Sequence, residues 1–316
     1  MRSFIRPLFA GLLLVVSFTA TASAEKIGLK PLIAPQELST LQSNPKVVIL
    51  DIRGEEYATG HVPGAISAPY GKWRGPDNNP GQTLSDAQLT ELFRSLGIDA
   101  GEAVVVTYQG KDTTDFGSAA RVYWTLKSAG VEEISILNGG INAWTKAGLA
   151  LSKEAVTAKP SDITVKLSSK WLSTREDVQA MIEGKQKAQL VDSRPEAFYK
   201  GETKHAAASR PGTLPHATLF SHSNWFNASS PAIIDANAAR SLAANAGYTK
   251  ADDTLVSFCN TGHWAATNWF ALSELAGAKN ATLYPESMVG WSQAGLPMQN
   301  TPSLIENLLN KVTGSR

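Results

Sequence analysis

The chain carries one cysteine, Cys259, in 316 residues. No intramolecular disulfide can form, so stability has to come from buried apolar surface. A Cys-x-x-Cys redox pair is excluded too, because Gly262 stands where the second thiol belongs. Charge is scarce: 18% of residues are Asp, Glu, Lys or Arg, against about 25% in ordinary soluble chains, and the formal net charge is +1. There is no run of Lys or Arg, so nothing points to nucleic acid or an anionic membrane as partner. Neither a cofactor nor a metal ion is expected.

Long apolar runs are missing as well. The stretch from Leu8 to Phe18 is shorter than the roughly 18–20 residues that span a bilayer. It follows Arg2 and Arg6 and precedes Ala22-Ser23-Ala24, which reads as a secretory signal peptide over residues 1–24. The arginines are not adjacent, so nothing favours a twin-arginine route. The mature chain is expected in a periplasm or outside the cell, with no stable membrane insertion after cleavage. An unpaired thiol is a liability in such an oxidising place, which argues for its use.

The surroundings of that thiol are informative. Cys259 ends the apolar run Leu255-Val256-Ser257-Phe258 and precedes Asn260-Thr261-Gly262-His263-Trp264, after which Ala265 to Leu275 has helical character. A strand, a short loop containing glycine and a helix start aim successive backbone N–H groups at one point, an arrangement that stabilises anions and thiolates. Gly262 can supply the positive φ of a tight loop.

The chain also repeats itself. Val47 to Arg53 recurs as Ala188 to Arg194, each ending in Asp-x-Arg, at a shift of 141 residues. Ala103 to Tyr108 recurs as Asp253 to Phe258 at a shift of 150, and Trp144 with Ala147-Gly148-Leu149 recurs as Trp291 with Ala294-Gly295-Leu296 at a shift of 147. Two copies mean tandem domains and not a solenoid. Within each copy, strand-length apolar runs alternate with helical segments. Leu84 to Leu96 sets Leu84, Leu89, Leu92, Phe93 and Leu96 on one helical face, and Ser173-Thr174-Arg175-Glu176 reads as a capping box for a helix to about Ile182. The fold class is α/β, with each domain an open, mainly parallel sheet covered by helices on both faces. The expected layout is a first domain at 25–150, a linker at 151–168 containing Pro160, a second domain at 169–300 and a tail at 301–316. Ligands of such sheets sit beyond the carboxyl ends of the strands, where Cys259 falls.

Taken in order, several stretches make the chain resemble the two-domain rhodanese family, the thiosulfate and 3-mercaptopyruvate sulfurtransferases. They are Leu50-Asp51-Ile52-Arg53, Gly60 to Ala65, Gly117 to Trp124, Leu137 to Trp144, Val191-Asp192-Ser193-Arg194 and the loop opened by Cys259. The resemblance implies that Cys259 is a catalytic nucleophile that becomes a persulfide, held by the N–H groups of Asn260, Thr261, Gly262, His263 and Trp264. It implies that Asp192 and Arg194 brace the loop. By the repeat, Gln109 takes the thiol's place in the first domain, which is then an inactive half packed against the active one, with His61 structural. An arginine common in the family is replaced by Phe198, so one anion contact is missing. Lys204, His205 and Arg210, in the insertion after Gly201, are candidate substrate contacts in its stead, and His263 is the candidate for a positive charge inside the loop. Trp264 is expected to pack over the loop.

The implied activity is transfer of sulfane sulfur from a small donor anion, thiosulfate or mercaptopyruvate, to cyanide or to a small-molecule or protein thiol. The loop matches neither donor's usual pattern. A non-catalytic binding module or sulfur carrier is the alternative. A cysteine phosphatase is disfavoured, because it needs an arginine six positions after the thiol and Ala265 stands there.

Overall fold

The computed structural model describes residues 26–302, apart from 100, 229 and 249–253. The signal-peptide reading at 1–24 lies outside the described residues, as does the tail beyond 302. In the first half the elements run β1 (Leu32–Ile33), α1 (Pro35–Leu41), β2 (Val47–Asp51), β3 (Ile66–Ser67), α2 (Asp86–Ser95), β4 (Ala103–Thr107), α3 (Phe116–Ser128), β5 (Glu133–Leu137) and α4 (Gly140–Lys146). The second half runs α5 (Arg175–Ile182), β6 (Ala188–Asp192), α6 (Glu196–Tyr199), β7 (Thr218–Leu219), α7 (Ala236–Asn245), β8 (Thr254–Phe258), α8 (Trp264–Phe270), β9 (Ala281–Leu283) and α9 (Ser287–Gln293).

Each half is an open sheet whose strands all run parallel, in the orders β1-β5-β4-β2-β3 and β7-β6-β8-β9. Parallel strands need helical crossovers, which cover both faces and leave the central strands apolar throughout. In β2, Val48 and Leu50 face one cluster with α2 and α3, while Ile49 faces another with α1 and α4. Beside β9, Leu172 and Leu283 form a single parallel bridge where the first sheet has β1.

Two helix boundaries differ from the sequence reading. The cap of α5 is Thr174 with Asp177, one residue later than expected, because Ser173 Oγ is taken by Thr282 Oγ1 at 2.7 Å. Helix α8 runs only to Phe270, and Ala271–Leu275 continue as a π-helical turn.

The halves share one core. Every residue of helix α3 except Lys127 is buried, Ser118, Arg121 and Thr125 included, and the helix packs on α8. Phe116 and Tyr123 meet Phe270 edge-on, at 5.5 and 5.0 Å between ring centres. Tyr123 Oη and Lys127 Nζ both donate to Glu274, each at 2.9 Å. Residues 151–168, read as the linker, hold no helix and lie along the first half: Ser161 Oγ donates to the Ile98 carbonyl and the Val165 amide to Thr90 Oγ1.

Candidate active site

The site begins where β8 ends. Cys259 follows Phe258 at the carboxyl end of the sheet and is 1% exposed. The loop turns at Gly262, whose φ of 67° is the left-handed value glycine adopts without penalty. A side chain there would also collide with Arg121 Nη1 and the Pro285 carbonyl. The Cys259 and Gly262 amides donate to Ser287 Oγ, at 3.0 and 3.2 Å, and that hydroxyl donates to the Tyr284 carbonyl. The amides of Asn260, Thr261, His263, Trp264 and Ala265 donate to no acceptor among the described residues. A buried thiol beside unengaged N–H groups is suited to carrying negative charge.

Asp192 and Arg194 are both buried and paired, Nη2 to Oδ2 at 2.6 Å. Arg194 also donates to the Gly212 carbonyl at 2.9 Å and to Asn260 Oδ1 at 3.3 Å, so the pair reaches the loop's second residue. Asp51 and Arg53 repeat the arrangement, with Arg53 Nη1 donating to Gln109 Oε1 at 3.0 Å. That equivalence corrects the alignment of the two halves. Asp51 pairs with Thr107 and Asp192 with Phe258, a shift of 151 residues from β4 to β8. Tyr108, not Gln109, therefore holds the place of Cys259, and Gln109 that of Asn260. Sequence similarity within β4 and β8 slipped by one residue because both runs are mostly small and apolar residues of like pattern, and strand pairing fixes the register. Beyond the first sheet's carboxyl end lies a cavity of about 360 Å³, lined by Arg53, Tyr70, Tyr108, Gln109, Asp112 and His263 among others.

His263 does not supply a positive charge. Its Nδ1 lies 3.0 Å from Tyr70 Oη and its Nε2 2.7 Å from the Thr114 carbonyl, a pattern that a neutral ring with its proton on Nε2 satisfies. Burial first, and the nearby Arg74 second, pull its pKa down to about 4. Trp264 packs as expected, stacked on His222 at 4.9 Å and edge-on to Phe198 at 5.8 Å. His222 is 3% exposed, and burial likewise lowers its pKa to about 4.

The insertion is occupied with itself. Lys204 Nζ donates to the Ala208 carbonyl at 2.7 Å, His205 Nδ1 accepts the Ala207 amide, and Arg210 is bound to the Leu296 carbonyl. Besides Arg194, the cations that reach the Cys259 loop come from the first half and bind its backbone carbonyls. Arg74 Nη2 donates to the Thr261 carbonyl at 2.8 Å and its Nη1 to Tyr70 Oη at 2.9 Å. Arg121 Nη1 lies 3.4 Å from the Gly262 carbonyl. Sequence reasoning missed Arg74, Arg121, Tyr70 and Ser287. Only Ser287 had a signal: it repeats Gly140 at the shift of 147, and both adopt positive φ. His61 is buried with its ring nitrogens 2.9 and 3.0 Å from the Tyr57 and Glu154 carbonyls, a structural role.

Comparison with known proteins agrees with the duplicated fold. The family described as "Rhodanese-like domain" matches residues 34–147 and 174–294. A Synechococcus elongatus protein named "Putative thiosulfate sulfurtransferase" is 26% identical over 305 residues, covering 94% of this chain and 93% of its own length. The "Sulfur carrier protein TtuD" of Thermus thermophilus is 28% identical over 271 residues, covering 81% of this chain and 91% of its own. Among solved structures, the anaerobic ergothioneine biosynthesis enzyme of Chlorobium limicola, in complex with trimethyl histidine, superposes with a TM-score of 0.74 at 20% identity, over 85% of this chain and 69% of its own. That likeness concerns the fold.

Proposed function

This chain belongs to the rhodanese-like family, a family of sulfurtransferases, and on that premise we propose that Cys259 carries sulfane sulfur from thiosulfate or 3-mercaptopyruvate to a thiol or cyanide acceptor. The observation that carries the reading is the only thiol of the chain, buried at the carboxyl end of β8 in a loop whose Asn260, Thr261, His263 and Trp264 amides have no acceptor among the described residues.

The chemistry is a double displacement. The Cys259 thiolate attacks the outer sulfur of thiosulfate, a Sγ–S bond forms, and the S–S bond of the donor breaks as sulfite leaves with the electron pair. With mercaptopyruvate the C–S bond breaks and pyruvate, after taking up a proton, is released. The persulfide keeps one negative charge, which the loop N–H groups offset. An acceptor thiolate then attacks the terminal sulfur, takes it as its own persulfide and returns the Cys259 thiolate. Asp192 and Arg194 hold Asn260 and so the loop's shape.

The relative named as a sulfur carrier supports a second reading of the same thiol, in which the persulfide is handed to a protein and turnover of small acceptors is slow. The proposed site of the reaction is a periplasm or the outside of the cell, a reading supported by the signal-peptide pattern of residues 1–24. Among the described residues, no helix is long and apolar enough to cross a membrane. Incubation with thiosulfate, then intact mass spectrometry, tests the assignment: one added sulfur atom on the wild type and none on Cys259→Ser. Failure of both donors to load the wild type defeats it.

A further inference from the structure

Arg121 is a buried charge without a counter-charge. It is 1% exposed, its Nη2 donates to the Gly81 carbonyl at 3.0 Å, its Nη1 approaches the Gly262 carbonyl, and its Nε has no partner. Trp124 lies beneath it at 5.1 Å, and no carboxylate pairs with it among the described residues. Arg74 likewise has no carboxylate partner among the described residues. Burial, and then the neighbouring Arg74, lower the Arg121 pKa to about 9, while the Cys259 thiolate acts in the opposite sense. Two guanidiniums close enough to disfavour each other, one of them buried, are unfavourable unless an anion sits within reach of both.

The two arginines also grip successive peptides. Arg74 holds the Thr261 carbonyl and Arg121 the Gly262 carbonyl. In a trans peptide the following N–H points opposite to the carbonyl, so the Gly262 and His263 amides are turned away from the first half. The Gly262 amide meets Ser287 Oγ and the His263 amide has no acceptor among the described residues.

We propose that Arg74 and Arg121, both from the half without a thiol, are positioning residues for the catalytic loop, holding its carbonyls outward and favouring the anionic form of the sulfur on Cys259. The second half then contains the nucleophile but not the charge that supports it, and the first half is more than a scaffold. The proposal rests on the sulfurtransferase reading for its purpose, but not for its test.

Other groups facing the loop do not replace this charge. Arg194 is balanced by Asp192, and Arg175 by Glu286. His263 and His222 are neutral near pH 7, and His205 is shifted downward by burial, then by Lys204 and Arg74. Burial raises the Tyr70 pKa, which keeps that hydroxyl neutral, and Asp112 acts on His222.

Because the chain has one cysteine, thiolate ultraviolet absorbance reports Cys259 alone once the same variant carrying Cys259→Ser is subtracted. In the full chain, Arg121→Gln and Arg74→Gln should each move the appearance of that absorbance up by about one pH unit, a tenfold change in ionisation. Arg121→Lys, which keeps the charge, should move it less. Thermal unfolding checks the fold, and if Arg121→Gln does not fold, Arg74→Gln and Arg121→Lys decide. Absorbance that develops at the wild-type pH in the folded glutamine variants overturns the proposal. The measurement uses no sulfur donor, so it stands even if the wild type transfers no sulfur.

Discussion

Tyr108 occupies in the first sheet the position that Cys259 occupies in the second. The Tyr108 carbonyl accepts the Ile141 amide at 2.8 Å and the Cys259 carbonyl accepts the Met288 amide at 3.0 Å, while Asn142 and Val289 bond in the same way to Gln109 and Asn260. The two units thus share their loop anchors, and the first carries a phenol where the second carries a thiol. The Tyr108 ring is buried, and its hydroxyl finds no hydrogen-bond partner among the described residues.

Tyr108→Phe should therefore leave sulfur transfer within a few-fold of wild type and stability unchanged or slightly higher, since an unsatisfied buried hydroxyl is removed. Gln109→Ala should also leave turnover within a few-fold, because the two contacts it removes, from Arg53 Nη1 and to Asn142 Oδ1, both lie within the first half. Steady-state kinetics with thiosulfate and cyanide check both, and a loss above tenfold would place the first half's cavity in the reaction.

Ser287→Ala removes the acceptor of two buried amides, those of Cys259 and Gly262. An unsatisfied buried donor costs about 1–3 kcal/mol. The expected outcome is lower thermal stability together with slower persulfide formation in single-turnover mass spectrometry, because the loop loses the hydroxyl that ties its two ends.

Acid should destabilise the fold through two histidines, the buried His222 and the half-buried His263. His222 and His263 have native pKa values of about 4 against an ordinary 6.5, so the unfolded chain binds more protons between those values. Stability is complete above about pH 6.5 and falls as pH drops toward 4. His222→Gln should flatten the fall in melting temperature over that window. A wild-type melting temperature constant from pH 7 to 4.5 would refute the assignment. The neutral ring also means that His263→Gln should not remove an alkaline limb from the activity profile.

Lys204→Met and Arg210→Met should change the thiosulfate KM less than twofold, since both side chains are held by carbonyls of their own neighbourhood. A KM raised tenfold with kcat unchanged would return these residues to the substrate site.

Trp144 and Trp291 are equivalent core residues, each 1% exposed or less, with indole N–H groups bound to the Ala150 and Pro297 carbonyls at 3.0 and 2.8 Å. Either change to alanine should cost roughly 3–5 kcal/mol, read by denaturant unfolding. Sulfur loading of the folded fraction should persist in the Trp144 variant.

The duplication, the alternation of strands and helices, the thiol at a strand end and the glycine at its turn were legible in the sequence, because each is set by local periodicity or by one residue's backbone freedom. The Asp-x-Arg pairs were legible for the same reason, their partners being two residues apart. What lay beyond reach was anything decided across the shared core. Register within two strands of similar, mostly apolar residues is fixed by their neighbours, so Tyr108 and not Gln109 corresponds to Cys259 in the duplication. The charges beside the loop were sought in the insertion at 204–210, near in sequence, but Arg74 and Arg121 arrive from 187 and 141 residues away. His263 reads as a titratable cation in a string of letters, and becomes a neutral ring once Arg74 and burial surround it. Side-chain identity is written in the chain, whereas electrostatic environment is a property of packing, and here packing is supplied by the other half of the molecule.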